Sequence, residues 1–395
     1  MDRLKFKEYD ALLLLAKVLL MSLSRNFILL LACLILIFSC KNENSAESTQ
    51  PQDEGTALIL NQDSLIYENE VNFAHIKQLT NGGDNAEAYW SFDDNQLVFQ
   101  ASNDTWGATC DQIYLHPLEG DLEIIGTPKL LSTGKGRTTC SFFMPGNKSI
   151  LYASTHLDND QCPPEPERRP GGLYVWPIYD SFDIFESDLE GNIIKQLTDH
   201  PGYDAEATVS PDGSMIVFTS MRSGDLELYT MKPDGSEVQQ ITDELGYDGG
   251  AFFSPDSKQL IFRASRPKTE EEIKLYKGLL EEGLVQPTNM ELFVCNVDGS
   301  DLRQITNLGK ANWAPYFHPN GKQIIFSSNH KSERGFPFNL YLINIDGTGL
   351  KQITFDDTFD SFPMFSYDGK YLAFSSNRNN GGTRSTNLFI AEWKN

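Results

Sequence analysis

Residues 193–236 read IIKQLTDHPGYDAEATVSPDGSMIVFTSMRSGDLELYTMKPDGS. The stretch divides into a strand ending at Leu197-Thr198, a loop, Ala205–Ser210, the turn Pro211-Asp212-Gly213, Met215–Arg222, Leu226–Met231 and the turn Asp234-Gly235. Four short apolar-rich runs with turn residues between them predict four strands, and the same order recurs along the chain. Self-similarity at this period is the mark of a repeat architecture, and it decides the fold before any single residue does.

Six copies align. Their turn-entry pairs are Ser91-Phe92, Met144-Pro145, Ser210-Pro211, Ser254-Pro255, His318-Pro319 and Ser366-Tyr367. Each is followed at a fixed interval by a ring: Phe99, Tyr152, Phe218, Phe262, Phe326 and Phe374. A second turn follows, at Glu119-Gly120, Glu190-Gly191, Asp234-Gly235, Asp298-Gly299 and Asp346-Gly347. Closing strands end in Leu131-Ser132, Leu197-Thr198, Ile241-Thr242, Ile305-Thr306 and Ile353-Thr354. The sixth copy stops after its third strand at Leu388–Trp393, and its missing strand stands at the other end, Ile76–Thr80. A ring closed in this way leaves no exposed sheet edge. The expectation is an all-β, six-bladed β-propeller of four-stranded antiparallel blades over 71–395, with the N-terminal strand completing the last blade.

The repeat residues Leu197-Thr198, Ser210-Pro211-Asp212-Gly213, Ile216-Val217-Phe218, Ser220 and Arg222 resemble the repeat of the TolB-like propellers. The resemblance covers about residues 76–395. It implies the propeller and leaves function open, because binding proteins, lyases and peptidase accessory domains share the repeat. Roughly 35 residues separate Cys40 from the first repeat strand, so interactions that depend on the N-terminal domain of TolB proper are not expected here.

Before the repeats, Phe27–Phe38 is an unbroken run of 12 apolar residues, preceded by Arg25 and followed by Ser39-Cys40. Such a run is short for a membrane-spanning helix and fits the core of a secretory signal. Ile37-Phe38-Ser39-Cys40 resembles the lipobox of bacterial lipoproteins, which makes 1–39 a signal peptide, with Met21 an alternative start, and Cys40 the lipidation site. A signal cleaved elsewhere or an uncleaved anchor is the competing reading. Residues 40–70, polar and poor in large apolar side chains, read as a flexible tether. The net charge of −23 would repel a phosphate backbone, which argues against nucleic acid as a partner; it suits solubility or a cationic partner.

The strand order puts all tight turns on one face and all variable loops on the other. The turn aspartates Asp212, Asp234, Asp256, Asp298 and Asp346 read as hairpin chemistry, not ligands. Two insertions decorate the variable face, at 157–181 and 267–290. The first carries Arg168, Arg169, Tyr174, Trp176 and Tyr179 among prolines, as a contact surface would. The second opens with Thr269 and Glu272 at capping-box spacing and continues in a stripe of Ile273, Tyr276, Leu280 and Leu284; covering sheet ends is as good a reading of it as recognition. Standing on blades two and four, both would wall the upper edge of blade three. On the same face Asp204, Asp248 and Asp360 pair at fixed spacing with Arg222, Arg266 and Arg378, where the other copies have Asn or Thr with His or Asn. Cross-strand pairing explains the pattern best, at about 0.2–1 kcal/mol for a pair near the surface. Ligand or cation contacts at the channel mouth, with Glu87 and Glu206 adding carboxylates, are the sharper alternative.

Export implies oxidising conditions. Cys110 with Cys162 is the expected disulfide, Cys110 with Cys140 its competitor, and Cys295 a buried free thiol. No zinc-type cysteine spacing, Gly-x-Ser-x-Gly elbow or catalytic set is assembled. A metal site from His156, His200 and His330 is the weaker option. The functional expectation is therefore a monomeric, lipid-anchored cell-envelope protein, periplasmic or surface-facing and without cofactor, whose propeller binds a protein or peptide. The alternative is a metal-dependent glycan binder or lyase.

Overall fold

The computed structural model describes residues 58–394 apart from 121, 168 and 334. The signal segment, Cys40 and Arg168 lie outside the described residues. Within them six four-stranded antiparallel sheets form. Blade three runs Asp204–Val209, Ile216–Ser220, Glu227–Met231, Gln239–Gln240, each strand pairing with the next. Blade six joins Asp360–Phe365, Tyr371–Ser376 and Asn387–Trp393 to Phe73–Gln78 from the chain's other end, in antiparallel register Ile76↔Ala391. The fold is thus the expected propeller, closed as the truncated sixth repeat implied. The opening stretch straddles a seam, because Ile193–Gln196 closes blade two.

The repeat residues earn their places physically. Phe99, Tyr152, Phe218, Phe262, Phe326 and Phe374 are fully buried between blades, each stabilising by about 1.5–3 kcal/mol. The Ser or Thr ending each closing strand accepts a hydrogen bond from an amide of the third strand: Ser132 from Ile113 at 3.0 Å, Thr198 from Ile184 at 2.9 Å, Thr80 from Leu388 at 2.9 Å. Thr242, Thr306 and Thr354 do the same. The turn aspartates cap their own turns, Asp234 Oδ1 accepting from Ser236 N at 3.0 Å. Gly235 has φ +80°, and a Cβ there would stand 2.7 Å from the Leu197 carbonyl oxygen.

Residues 58–70, expected within the tether, pack on the ring. The compact unit begins at Leu58; Leu60 and Glu70 are buried, and Leu58 N donates to Tyr371 Oη at 3.0 Å. The second insertion contains helix α1, Glu270–Glu281, with the Thr269/Glu272 capping box formed. Its buried positions are Tyr276 and Leu279; Leu284 falls past the helix end in the strand Leu284–Val285. No helix among the described residues is long and apolar enough to cross a membrane.

The two insertions are not separate walls. Leu284–Val285 pairs antiparallel with Trp176–Pro177. Ile178 N donates to Gly283 O at 2.7 Å, and Arg169 bonds Glu282. They meet as one arch above blade three. Cys110 and Cys162 are joined, Cα atoms 6.1 Å apart, which staples the first insertion to blade one; Cys140 and Cys295 are free.

Candidate functional site at the channel mouth

The first strand of every blade contains a bulge, and the residue at it has positive φ: Glu87 (54°), Cys140 (43°), Glu206 (57°), Gly250 (58°), Ala314 (46°) and Phe362 (53°). The strand register shifts at each of these points, for example between Ala205 and Thr208. A bulge re-aims a side chain out of the sheet, and all six residues line one cavity of about 780 Å³ at the channel mouth on the variable-loop face. Below them Tyr89, Phe142, Phe252 and Tyr316 meet as a ring cluster, with Tyr89 and Phe252 centroids 5.8 Å apart. Blades one and four stand opposite in a six-fold ring, so that contact crosses the axis and floors the channel.

The bulge ring has a polar half and an apolar half. Blades one to three supply Glu87, Cys140 and Glu206; blades four to six supply Gly250, Ala314 and Phe362. The walls repeat the division. On one side stand Asp111, Arg137 and Tyr203, joined by Arg263, which comes from blade four and pairs with Glu206. On the other, Trp176 of the arch touches Trp313 (5.1 Å between centroids), Trp313 stacks on Phe338 (4.5 Å), and Phe338 meets Phe336 and Phe359. Tyr174 and Phe336, 57% and 63% exposed, stand at the rim.

Glu206 is the most tightly held group. Its Oε1 accepts from Tyr247 Oη at 2.7 Å and from Arg263, and its Oε2 from Thr219 Oγ1 at 2.9 Å and Gly250 N at 2.9 Å. Burial pushes its carboxyl up, but Arg263 and the donated bonds outweigh this and hold it below the ordinary glutamate range. Arg263 lies 5.0 Å from the Tyr247 ring centroid and 5.5 Å from that of Trp176. Room for it comes from Gly250, where a Cβ would sit 1.8 Å from Arg263 Nη1. Glu87 is held only by Tyr89 Oη at 3.0 Å and the Cys140 thiol. Burial pushes its carboxyl up, and the Glu206 charge adds to the shift.

Of the expected site residues, Tyr174, Trp176, Tyr179, Glu87 and Glu206 line this cavity. The Asp and Arg columns do not, which corrects the idea that they border the mouth as ligands. Arg222 reaches Asp204 at 2.7 Å, Arg266 reaches Asp248 at 2.9 Å, and Arg378 bonds Asp360 at 3.0 Å and Glu70 at 3.0 Å. All three aspartates are buried, so these are interior pairs and not surface ones. Each guanidinium also lies over a ring of its own blade, Phe218, Phe293 or Phe374. His156 and His330 fill the same role, 4.5 and 4.6 Å from Phe185 and Tyr341, with Nδ1 at Ser154 and Ser328 Oγ. His200 Nδ1 sits 2.8 Å from Pro201 O. The three histidines do not converge, and no group of three metal-ligating side chains occurs among the described residues. Arg169 serves the arch.

Sequence reasoning missed Arg263, Arg137, Asp111, Cys140 and the aromatic wall from blades five and six. One signal was present. The residue after each repeat ring reads Gln100, Ala153, Thr219, Arg263, Ser327, Ser375, and Arg263 stands out against small neighbours. Gly249-Gly250, where other blades carry side chains, is its counterpart.

A model of the TolB beta propeller domain matches residues 177–281. Among solved structures, a putative TolB from Agrobacterium tumefaciens is 17% identical, with 79% of this chain and 91% of that one covered at TM-score 0.50. A gluconolactonase from Xanthomonas campestris is 16% identical, with 82% and 91% covered at TM-score 0.51. At such identities the likeness is one of fold. Residues 177–281 match the TolB-type repeat, and the whole ring is a six-bladed propeller similar in fold to that putative TolB.

Proposed function

We propose that this chain is a non-catalytic binding propeller of the bacterial cell envelope, lipid-anchored through Cys40, that receives a protein or peptide partner at its channel mouth. The observation that carries the reading is the floored, arched cavity with Tyr174 and Phe336 exposed at its rim. Concave, mainly apolar sites with a few fixed polar groups are where ligands bind, and rigid aromatic side chains contribute most to such contacts. The Glu206–Arg263–Tyr247 network is closed on itself and reads as a preformed wall. The TolB-type repeat fits an envelope location.

Photo-crosslinking in the full-length chain tests it. A photoreactive residue at Tyr174 or Phe336 is expected to give discrete adducts with envelope proteins, and one at Asp234, on the tight-turn face, none. Equal labelling from both faces, or none from either, overturns the reading. Deleting 157–181 is the poorer experiment, because it removes Cys162 and the arch together.

A further inference from the structure

The charges lining the channel mouth do not match one for one. Arg263 is taken by Glu206, and Arg137 by Asp111 at 3.4 Å and by Glu165. Glu87 has no ion-pair partner among the described residues; its bonds come from a phenol and a thiol. It stands at a strained positive φ, aimed into the cavity by the bulge of blade one. The same cavity is lined on blades five and six, the latter next to blade one in the ring, by Trp313, Phe338, Phe359 and Phe362, which carry no charge and present π surface. A carboxyl without a counter-cation facing a wall of rings complements a positive group on an organic stem. Ring faces attract a desolvated cation, and a carboxylate completes its pairing.

We propose that the channel-mouth pocket holds an ammonium or guanidinium group against Glu87. On the peptide-binding reading above, on which this rests, the group is a lysine or arginine side chain of the partner. The overall charge of −23 steers such a segment toward the protein. The stem lies along Trp176 and Trp313, and the head meets Glu87 at the bulge ring. Arg263 borders the same cavity, but it is paired with Glu206 and stacked on the Tyr247 ring, so it serves as a wall group and not as a partner of the cation.

Binding is then linked to protons. The groups facing Glu87 are Tyr89 on its own strand, Cys140 of blade two, Glu206 of blade three and Arg263 of blade four. Burial raises the Tyr89 phenol and the Cys140 thiol, so both stay neutral near neutrality. Glu206 is held ionised, and Arg263 stays charged. Glu87 is the member of the set left to titrate. A cation binds its ionised form, so affinity rises with pH through that titration and a proton is released.

The probes are Nα-acetyl-lysine methylamide, Nα-acetyl-arginine methylamide, their neutral isostere Nα-acetyl-norleucine methylamide, and tetramethylammonium. Each is titrated into the full-length protein, read by tryptophan fluorescence and calorimetry. The cationic amides are expected to bind about tenfold or more tighter than the isostere. Glu87→Gln is expected to abolish that ratio and the pH dependence while leaving norleucine binding unchanged; Glu87→Asp, which keeps the charge, restores part of both. Equal affinity for charged and neutral amides, a ratio that survives Glu87→Gln, or no binding by any probe overturns the proposal. Tetramethylammonium binding as tightly as the amides overturns its assignment to a peptide side chain. Loss of the cation preference with the Tyr174 and Phe336 adducts intact would sink this inference alone and leave the partner-binding reading standing.

Discussion

Arg378 and Arg263 are both buried, both paired with glutamate and both stacked on rings, yet their surroundings differ. Arg378 joins Glu70 from the N-terminal segment to Asp360 of blade six, over Tyr67 and Phe374, with all three charged side chains fully enclosed. Arg263 pairs with Glu206 beside Tyr247, with one side of the network on a cavity. Position in the blade separates the roles. A guanidinium in the loop after the second strand is packed between strands and ties the rim. One in the second strand itself reaches past the bulge toward the channel, where its surroundings include whatever the channel holds.

The comparison breaks first at Arg378. Arg378→Ala leaves Glu70 and Asp360 buried without their cation and is expected to destabilise by about 3–5 kcal/mol. Denaturant unfolding would show it, and a loss under about 1 kcal/mol would mean the rim pair is idle. In Arg263→Ala, Glu206 keeps Tyr247, Thr219 and Gly250 N as donors. The expected loss is about half as large, with Tyr174 crosslinking reduced.

Glu227 sharpens the rim side. It is buried, its Oε2 lacks a hydrogen-bond partner, and burial, with the Asp248 charge adding, pushes its carboxyl to about 8 from 4.5. The folded form therefore holds its proton more tightly than the unfolded chain. Stability is greatest below the ordinary glutamate range and declines by about 1.4 kcal/mol per pH unit until about pH 8. Glu227→Gln is expected to match wild type in a melt near pH 4.5 and to exceed it near pH 9; parallel pH profiles would refute the assignment.

Gly250→Ala tests the channel side. Its Cβ would meet Arg263 Nη1, and the expected loss is about 1–3 kcal/mol together with weaker ligand binding. The smallest effect is expected at Asp234→Ala on the tight-turn face. Losing the two exposed turn hydrogen bonds from Ser236 N and Oγ is worth about 0.5–1.5 kcal/mol in all and leaves binding untouched; altered crosslinking would show that the two faces communicate.

How far the sequence could be read follows from how local each feature is. Turn chemistry, the ring after each turn, the closing Thr and the Thr269 cap are set by hydrogen bonds and packing within one hairpin or helix end. They recur as recognisable residue types, and six copies make them legible. The Asp204–Arg222 column was legible as a pairing for the same reason. Its burial was not, because the neighbouring strands and blades supply the cover.

The bulge residues have no common type: Glu87, Cys140, Glu206, Gly250, Ala314 and Phe362. Their positive φ is imposed where inner strands converge on the axis, and a local reading of the chain carries no trace of that. The sequence by itself determined the blades, their order, the closure through Ile76 and the face on which the insertions stand. Tertiary structure alone decided the site. Only the closed ring brings Trp176 against Trp313 and sets Glu87 and Phe362 on adjoining blades of one cavity, because residues far apart in the chain become neighbours around an axis that no single repeat contains.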